Sequence, residues 1–252
     1  DDTSARILVA PAEGAEDVRR AAADLGLPVV TAAMDAAGVT RLSAAPAGSR
    51  DFSPDPEDTA LVLHTSGSTG RPKRVPLTHA NLAVSIRNIV ETYRLASDDV
   101  SLCLMPLFHV HGLMASLMAT FQSGGTVVVP ARFNPLSFWR TVRDHRVTWY
   151  SAVPTIHQLI LARLTGNERP QGAENLRFIR SCSAALAPDV ARRLEDILGA
   201  PVLEAYGMTE ASHQMASNPL PPAPHKFGTV GPGTGVHIGI MDTEGNHLPA
   251  GA

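Results

Sequence analysis

Along this chain, short β-branched or wholly apolar runs alternate with longer stretches whose apolar positions recur every three or four residues. "RILVA" precedes "AEDVRRAAADLG", "TALVLHT" precedes "THANLAVSIRNIVETYR", "DVSLCLMP" precedes "HGLMASLMATFQSG", and "GTVVVP" precedes "NPLSFWRTVRDHR". The pattern continues through "VTWYSAV" and "PTIHQLILARL", then "LRFIRSCS" and "APDVARRLEDILG", and ends at "PVLEAYG"; "PVVTA" adds a further short run. The short runs predict strands and the 3.6-residue periods predict amphipathic helices. Proline following Asn134 and Ala187 marks two helix starts, because a first helical turn does not need the N–H that proline lacks. Regular βα alternation predicts an α/β fold of mostly parallel sheets flanked by helices on both faces.

Two stretches depart from the alternation. Residues 36–58 are poor in apolar side chains and rich in Pro, Ser, Ala and Gly, which predicts an irregular connection. Beyond residue 214 come proline-rich loops and one hairpin pattern, read as the start of a separate antiparallel subdomain. The chain opens at Asp1 rather than methionine and ends in turn-rich "GNHLPAGA" after strand-like "VHIGIMD"; it reads as a fragment of a longer protein.

Composition narrows the function classes. The 252 residues are 44% hydrophobic and 18% charged, an ordinary globular balance. A formal charge of -3 offers no basic footprint for nucleic acid or an anionic membrane. The apolar "SLCLMPLFHVHGLMASLMATF" is broken by proline, glycine and histidine, so no spanning helix or signal peptide is read. Cys103 and Cys182, in strand-like stretches far apart in sequence, give no disulfide framework or zinc site. A reducing, cytoplasmic setting fits these features.

The densest chemistry lies in "TSGSTGRPK", Thr65 to Lys73. Thr65, Ser66, Ser68 and Thr69 supply hydroxyls, while Gly67 and Gly70 let backbone N–H groups converge on an anion. Lys73 adds a point charge suited to phosphate. The Walker pattern is not met, since Pro72 precedes the lysine and Arg74 follows it. A surface loop with a turn at Gly70-Arg71-Pro72 accounts for the same residues if nothing else supports phosphate binding.

Three further motifs follow in order: "MPLFHVHG" at 105–112, "IRSCSAALAP" from 179 and "EAYGMTE" at 204–210. With the loop they resemble the adenylate-forming superfamily of acyl-CoA synthetases, luciferases and peptide-synthetase adenylation domains, over about residues 60–240. "WYSAVPTIHQLIL", "LRFIRSCSAAL" and "TEASHQMASNPLPP" are most similar to the oxalate-CoA ligases of that superfamily. The resemblance implies two stacked αβ subdomains. The first, 1–98, is incomplete and carries the phosphate loop; the second, 99–219, carries the acid and adenine site. Residues 220–252 would begin a β-barrel-like subdomain, and the C-terminal domain with its reactive lysine would be absent.

The same resemblance implies a reaction. A carboxylate attacks the α-phosphorus of ATP, pyrophosphate leaves, and coenzyme A displaces AMP. Ser66, Gly67, Ser68, Thr69 and Gly70, with Thr65 and Lys73 at the ends, would grip the β- and γ-phosphates. Thr209 would meet the α-phosphate and Glu210 would hold Mg²⁺. Tyr206 and Gly207 would lie on one side of the adenine, with Ser183, Ala184 and Ala185 on the other. Ser183 and His213, with His109 at the edge, would take the acid, and this polar set favours a small dicarboxylate such as oxalate. Rival readings are a ligase for medium-chain or aryl acids, or a non-catalytic nucleotide-binding module; intact Lys73, Thr209 and Glu210 argue against the latter. Taken alone, "YGMTE" also fits a strand end and a helix cap at Thr209.

Other residues are read as structural: His111, His145 and His157 as satisfied histidines, and Met105, Met114 and Met118 as core filling. His109 and His111 lack a third ligand for a metal. Arg74 stands where the family usually has glycine. It either strains the loop at positive φ or sits extended with its side chain in solvent; the intact neighbours favour the second. Without the reactive lysine, the fragment is expected to show little turnover alone. Oligomeric state is not legible.

Overall fold

The computed structural model describes residues 4–44, 53–65, 72–164, 166, 168–249 and 251. The chain divides into two compact units, Asp1–Pro54 and Asp55–Ala252.

In the first unit, β1 (Leu8–Pro11), α1 (Glu16–Asp24), β2 (Val29–Met34) and β3 (Thr40–Leu42) form a three-stranded sheet with one helix. β1 pairs parallel with β2, which pairs antiparallel with β3. β3 lies inside the stretch expected to be irregular. The Asp35 carboxylate accepts the N–H groups of Val39 (2.9 Å) and Ala37 (3.0 Å) and the Nε–H of Arg41 (3.1 Å), and Gly38 takes φ +79°. This local turn folds the chain back into a strand despite its weak apolar content.

The second unit opens with β4 (Thr59–Thr65) and β5 (Lys73–Thr78), an antiparallel hairpin that sets Thr65 opposite Lys73. α2 (His79–Tyr93) starts at once. Asn81 N–H donates to Thr78 Oγ1 (3.2 Å) and Thr78 N–H to Asn81 Oδ1 (3.0 Å), a reciprocal cap that satisfies two orphan donors. The boundary expected at 98/99 falls inside this unit, after α2.

Then come β6 (Val100–Cys103), a π-helix (His111–Met118), α3 (Ala119–Gln122), β7 (Thr126–Val128), α4 (Phe138–Asp144) and β8 (Trp149–Ala152). They are followed by α5 (Pro154–Leu161), β9 (Phe178–Ser181), α6 (Pro188–Leu198), β10 (Val202–Met208) and β11 (His213–Ser217). The strand order is β11-β10-β9-β8-β6-β7, parallel except for β11. The parallel expectation therefore holds, and β11 closes the edge as an unforeseen hairpin partner. Pro188 occupies the first turn of α6 as expected, whereas Pro135 lies ahead of α4, where Asn134 Oδ1 accepts Leu136 N–H in a turn.

Strand alternation assigns the two faces. Tyr150, Ala152 and Ile179 join Val142, Ile160, Leu194 and Leu198 in one core; Trp149 and Phe178 join Ile89, Tyr93, Ala115 and Ala119 in the other. In the latter, Trp149 stacks on Phe178 (5.1 Å) and Phe178 on Tyr93 (4.9 Å), each pair contributing about 0.5–1.5 kcal/mol beyond burial. After β11, the described residues hold only isolated bridges, Ala216 to Gly233 and Met241 to His247. "VHIGIMD" thus forms no strand among the described residues, where its apolar side chains stay exposed and Met241 makes a single bridge, and no closed barrel is present among them. Among the described residues, no helix is long and apolar enough to cross a membrane.

Candidate active site

The chain order reverses at β6: its successor β7 lies on one side, and β8 on the other. Ligands of open α/β sheets bind at such a switch point, beyond the carboxyl ends of the strands. The π-helix that follows β6 begins with His111, β8 carries Ser151, β9 carries Arg180 and leads into Ser183, and the β10–β11 hairpin returns His213 and Gln214. Among the described residues these side chains form one hydrogen-bonded cluster.

Arg180 is its centre and is wholly buried. Its Nε donates to Tyr93 Oη (2.9 Å), its Nη1 to Ser151 Oγ (2.9 Å), and its Nη2 to Gln214 Oε1 (3.0 Å) and His213 Nε2 (3.2 Å). No carboxylate pairs with it among the described residues. A buried charge of this kind carries a desolvation penalty of several kcal/mol. A guanidinium can only donate, so His213 Nε2 accepts and the His213 proton sits on Nδ1. Burial first, then the charge of Arg180, holds the His213 pKa well below the ordinary imidazole value.

His111 extends the cluster outward. Its Nε2 lies 2.6 Å from Ser151 Oγ and its Nδ1 2.9 Å from Ser183 Oγ. Ser151 accepts from Arg180 and is itself buried; its hydroxyl proton has no other described acceptor, so it goes to His111 Nε2. His111 then carries its proton on Nδ1 and donates to Ser183, which leaves the Ser183 hydroxyl proton for the site. Burial, followed by the Arg180 charge, keeps His111 well below the ordinary imidazole range and thus neutral. A directional chain of donors therefore runs from a buried cation to an exposed serine, each bond polarising the next. Ser183 sits at φ +72°, and Ser212 and His213 at +59° and +140°; such backbone costs on the order of 1 kcal/mol or more per residue and clusters at functional sites.

Beside this cluster lies a cavity of about 880 Å³. Ser183, Ala184 and Ala185 line it, as do Tyr206 and Gly207, so the residues expected to flank adenine are brought together. Thr209 and Glu210 follow in a single 3-10 turn, Thr209 half-buried and Glu210 exposed. Among the described residues no group of three metal-ligating side chains exists. One exposed carboxylate fits a Mg²⁺ that takes its other ligands from phosphates and water. Ser66, Gly67, Ser68, Thr69 and Gly70 lie outside the described residues; Thr65 and Lys73 face each other at the hairpin end that the loop closes. Arg74 pairs with His64 within β5, exposed and without positive φ, so the extended, outward-facing alternative is the one adopted.

His109 stays exposed against Phe108. His111, read from the sequence as structural, occupies the cluster instead. His157 is buried against Tyr150 as a core residue, but neither ring nitrogen has a hydrogen-bond partner among the described residues, so the satisfied histidine expected from the sequence is not found. Arg180, Ser151, Gln214 and Tyr93 were not singled out in the sequence. One signal was there: an arginine at the centre of "FIRS", a strand apolar enough to be buried on both faces.

Comparison with known proteins identifies the family and the fold. Residues 1–252 match the family described as AMP-binding enzyme. An oxalate-CoA ligase of Arabidopsis thaliana is 46% identical over 97% of this chain and 49% of its own length. One from Saccharomyces cerevisiae is 51% identical over 77% of this chain and 35% of its own. The ATP-bound crystal structure of MatB from Rhodopseudomonas palustris superposes with a TM-score of 0.81 at 29% identity, covering 98% of this chain and 49% of MatB. The chain thus spans about half the length of the curated relatives it matches.

Proposed function

The chain belongs to the AMP-binding enzyme family, and from that premise we propose that the protein carrying it is an ATP-dependent acid-CoA ligase for a small dicarboxylate such as oxalate. The observation that carries the substrate assignment is the buried Arg180 guanidinium, which no described carboxylate neutralises. The bonds made by His111 and Arg180 leave two donors without a described partner, the Ser183 hydroxyl and the His213 Nδ1–H, and these are the groups offered to an anionic substrate. A monocarboxylate leaves those donors facing an uncharged tail, and an unpaired buried donor costs about 1–3 kcal/mol. A second carboxylate satisfies them and offsets the penalty of burying Arg180. The two relatives named as oxalate-CoA ligases, at 46% and 51% identity, support the same acid.

The chemistry asks the protein for position and electrostatics rather than a nucleophile. One substrate carboxylate rests on Ser183 and His213 while the other attacks the α-phosphorus of ATP. The bond to pyrophosphate breaks, and the thiol of coenzyme A later displaces AMP. Lys73 and the loop from Thr65 to Gly70 hold the leaving pyrophosphate, and Thr209 orients the α-phosphate. Tyr206 and Gly207 face Ser183, Ala184 and Ala185 across the adenine. Glu210 would hold Mg²⁺, which supplies neutralising charge to the polyphosphate when bound.

ATP–pyrophosphate exchange by the full-length protein over a panel of acids is the direct test. Oxalate and malonate should be the best substrates. Preference for octanoate or a cinnamate would overturn the acid assignment, and exchange with no acid would favour a non-catalytic nucleotide-binding module.

A further inference from the structure

Resting on the dicarboxylate reading, we propose that Gln214 sets the charge specificity of the site: it places a neutral amide where a carboxylate would cancel Arg180. Gln214 is buried on β11. Its Oε1 takes three donors, Arg180 Nη2 (3.0 Å), Arg180 Nε (3.3 Å) and Tyr93 Oη (2.9 Å). Three donors on one oxygen, two of them from a guanidinium, is the environment of a carboxylate. The amide is nevertheless held in one orientation, because its Nε2 donates to Thr92 Oγ1 (3.4 Å) and Thr234 Oγ1 (3.3 Å); the flipped amide would point N–H groups at the guanidinium.

The remaining partners of Arg180 include no carboxylate: Tyr93, Ser151, a neutral His213 and the buried Cys182 thiol beside it. Buried arginines normally have a paired charge. Here the described contacts satisfy hydrogen bonds and no described carboxylate neutralises the guanidinium. Glutamate has nearly the same shape and would complete an ion pair at the positions already occupied. It would leave the pocket's donors in place while removing the positive potential behind them. Gln214 touches no substrate in this scheme; it is a positioning residue that acts through Arg180.

The test uses the full-length protein, with oxalate as substrate and its monoamide, oxamate, as competitive ligand. Wild type should bind oxalate at least tenfold more tightly than oxamate; equal binding overturns the dicarboxylate reading itself. Given that preference, Gln214→Glu should raise the oxalate KM tenfold or more, leave oxamate inhibition and the ATP KM within threefold, and raise the melting temperature. Gln214→Met removes the same hydrogen bonds without adding charge, and should keep the oxalate-to-oxamate ratio within threefold. A Gln214→Glu protein whose ratio matches wild type, or a Gln214→Met protein that shifts it equally, refutes charge selection by Gln214.

Discussion

Ser151 is the link between the buried cation and the exposed donor, so Ser151→Ala isolates the proton chain with minimal change of shape. Arg180 Nη1 donates to Ser151 Oγ at 2.9 Å and the serine passes its proton to His111 Nε2 at 2.6 Å. Alanine leaves one Arg180 donor and His111 Nε2 without these partners, costing about 1–3 kcal/mol of stability. His111 Nε2 then becomes free to carry the ring proton. With the tautomer reversed, Nδ1 accepts from Ser183, whose hydroxyl no longer points at substrate. The loss of one hydrogen bond to a charged substrate carboxylate, about 1.5–3 kcal/mol, corresponds to a roughly 12- to 160-fold fall in kcat/KM for oxalate. Nitrogen-15 spectra of the histidine rings read the tautomer directly. Wild type should show His111 protonated on Nδ1, and Ser151→Ala should show Nε2. A wild-type ring protonated on Nε2 would refute the chain's direction. A variant that switches tautomer yet keeps full oxalate activity would refute its role.

Two further outcomes follow from buried and exposed positions. Burial lowers the pKa of His157 from 6.5 to about 4; the unfolded imidazole takes a proton below about 6.5 while the folded one resists. Stability is therefore lost as pH falls through that window, by about 3 kcal/mol in all. Denaturant midpoints of His157→Phe should fall less steeply between pH 6.5 and 4 than those of wild type, and parallel curves would exclude His157 as the source. Arg74→Gly, by contrast, restores the residue usual in the family at an exposed strand position. It should cost about 0.5–1 kcal/mol of stability with the ATP KM changed less than twofold; a tenfold change would mean that Arg74 contributes to the phosphate grip.

The parallel sheet and its helices were legible because each element carries its own apolar period, which local sequence displays. The proline at 188 is equally local; the reciprocal cap at Thr78 was not read from the sequence. β3 escaped notice because a side-chain turn at Asp35, not apolar pattern, makes it. β5 and β11 escaped because each follows a motif whose polar residues hide the strand.

What the sequence by itself determined is the order of the elements that carry their own apolar period, the phosphate-loop composition, and the small and hydroxyl residues that meet at the cavity, since these depend on neighbours within a few positions. Which histidine joins the buried hydrogen-bonded cluster was a tertiary decision. His109 and His111 sit two residues apart in the same motif, and only the packing of the π-helix on the sheet buries one and exposes the other. The uncompensated charge was decided the same way. Arg180, Tyr93, Ser151 and Gln214 come from four elements scattered along the chain, and hydrogen-bond direction and desolvation exist only once folding has brought them within 3 Å or so.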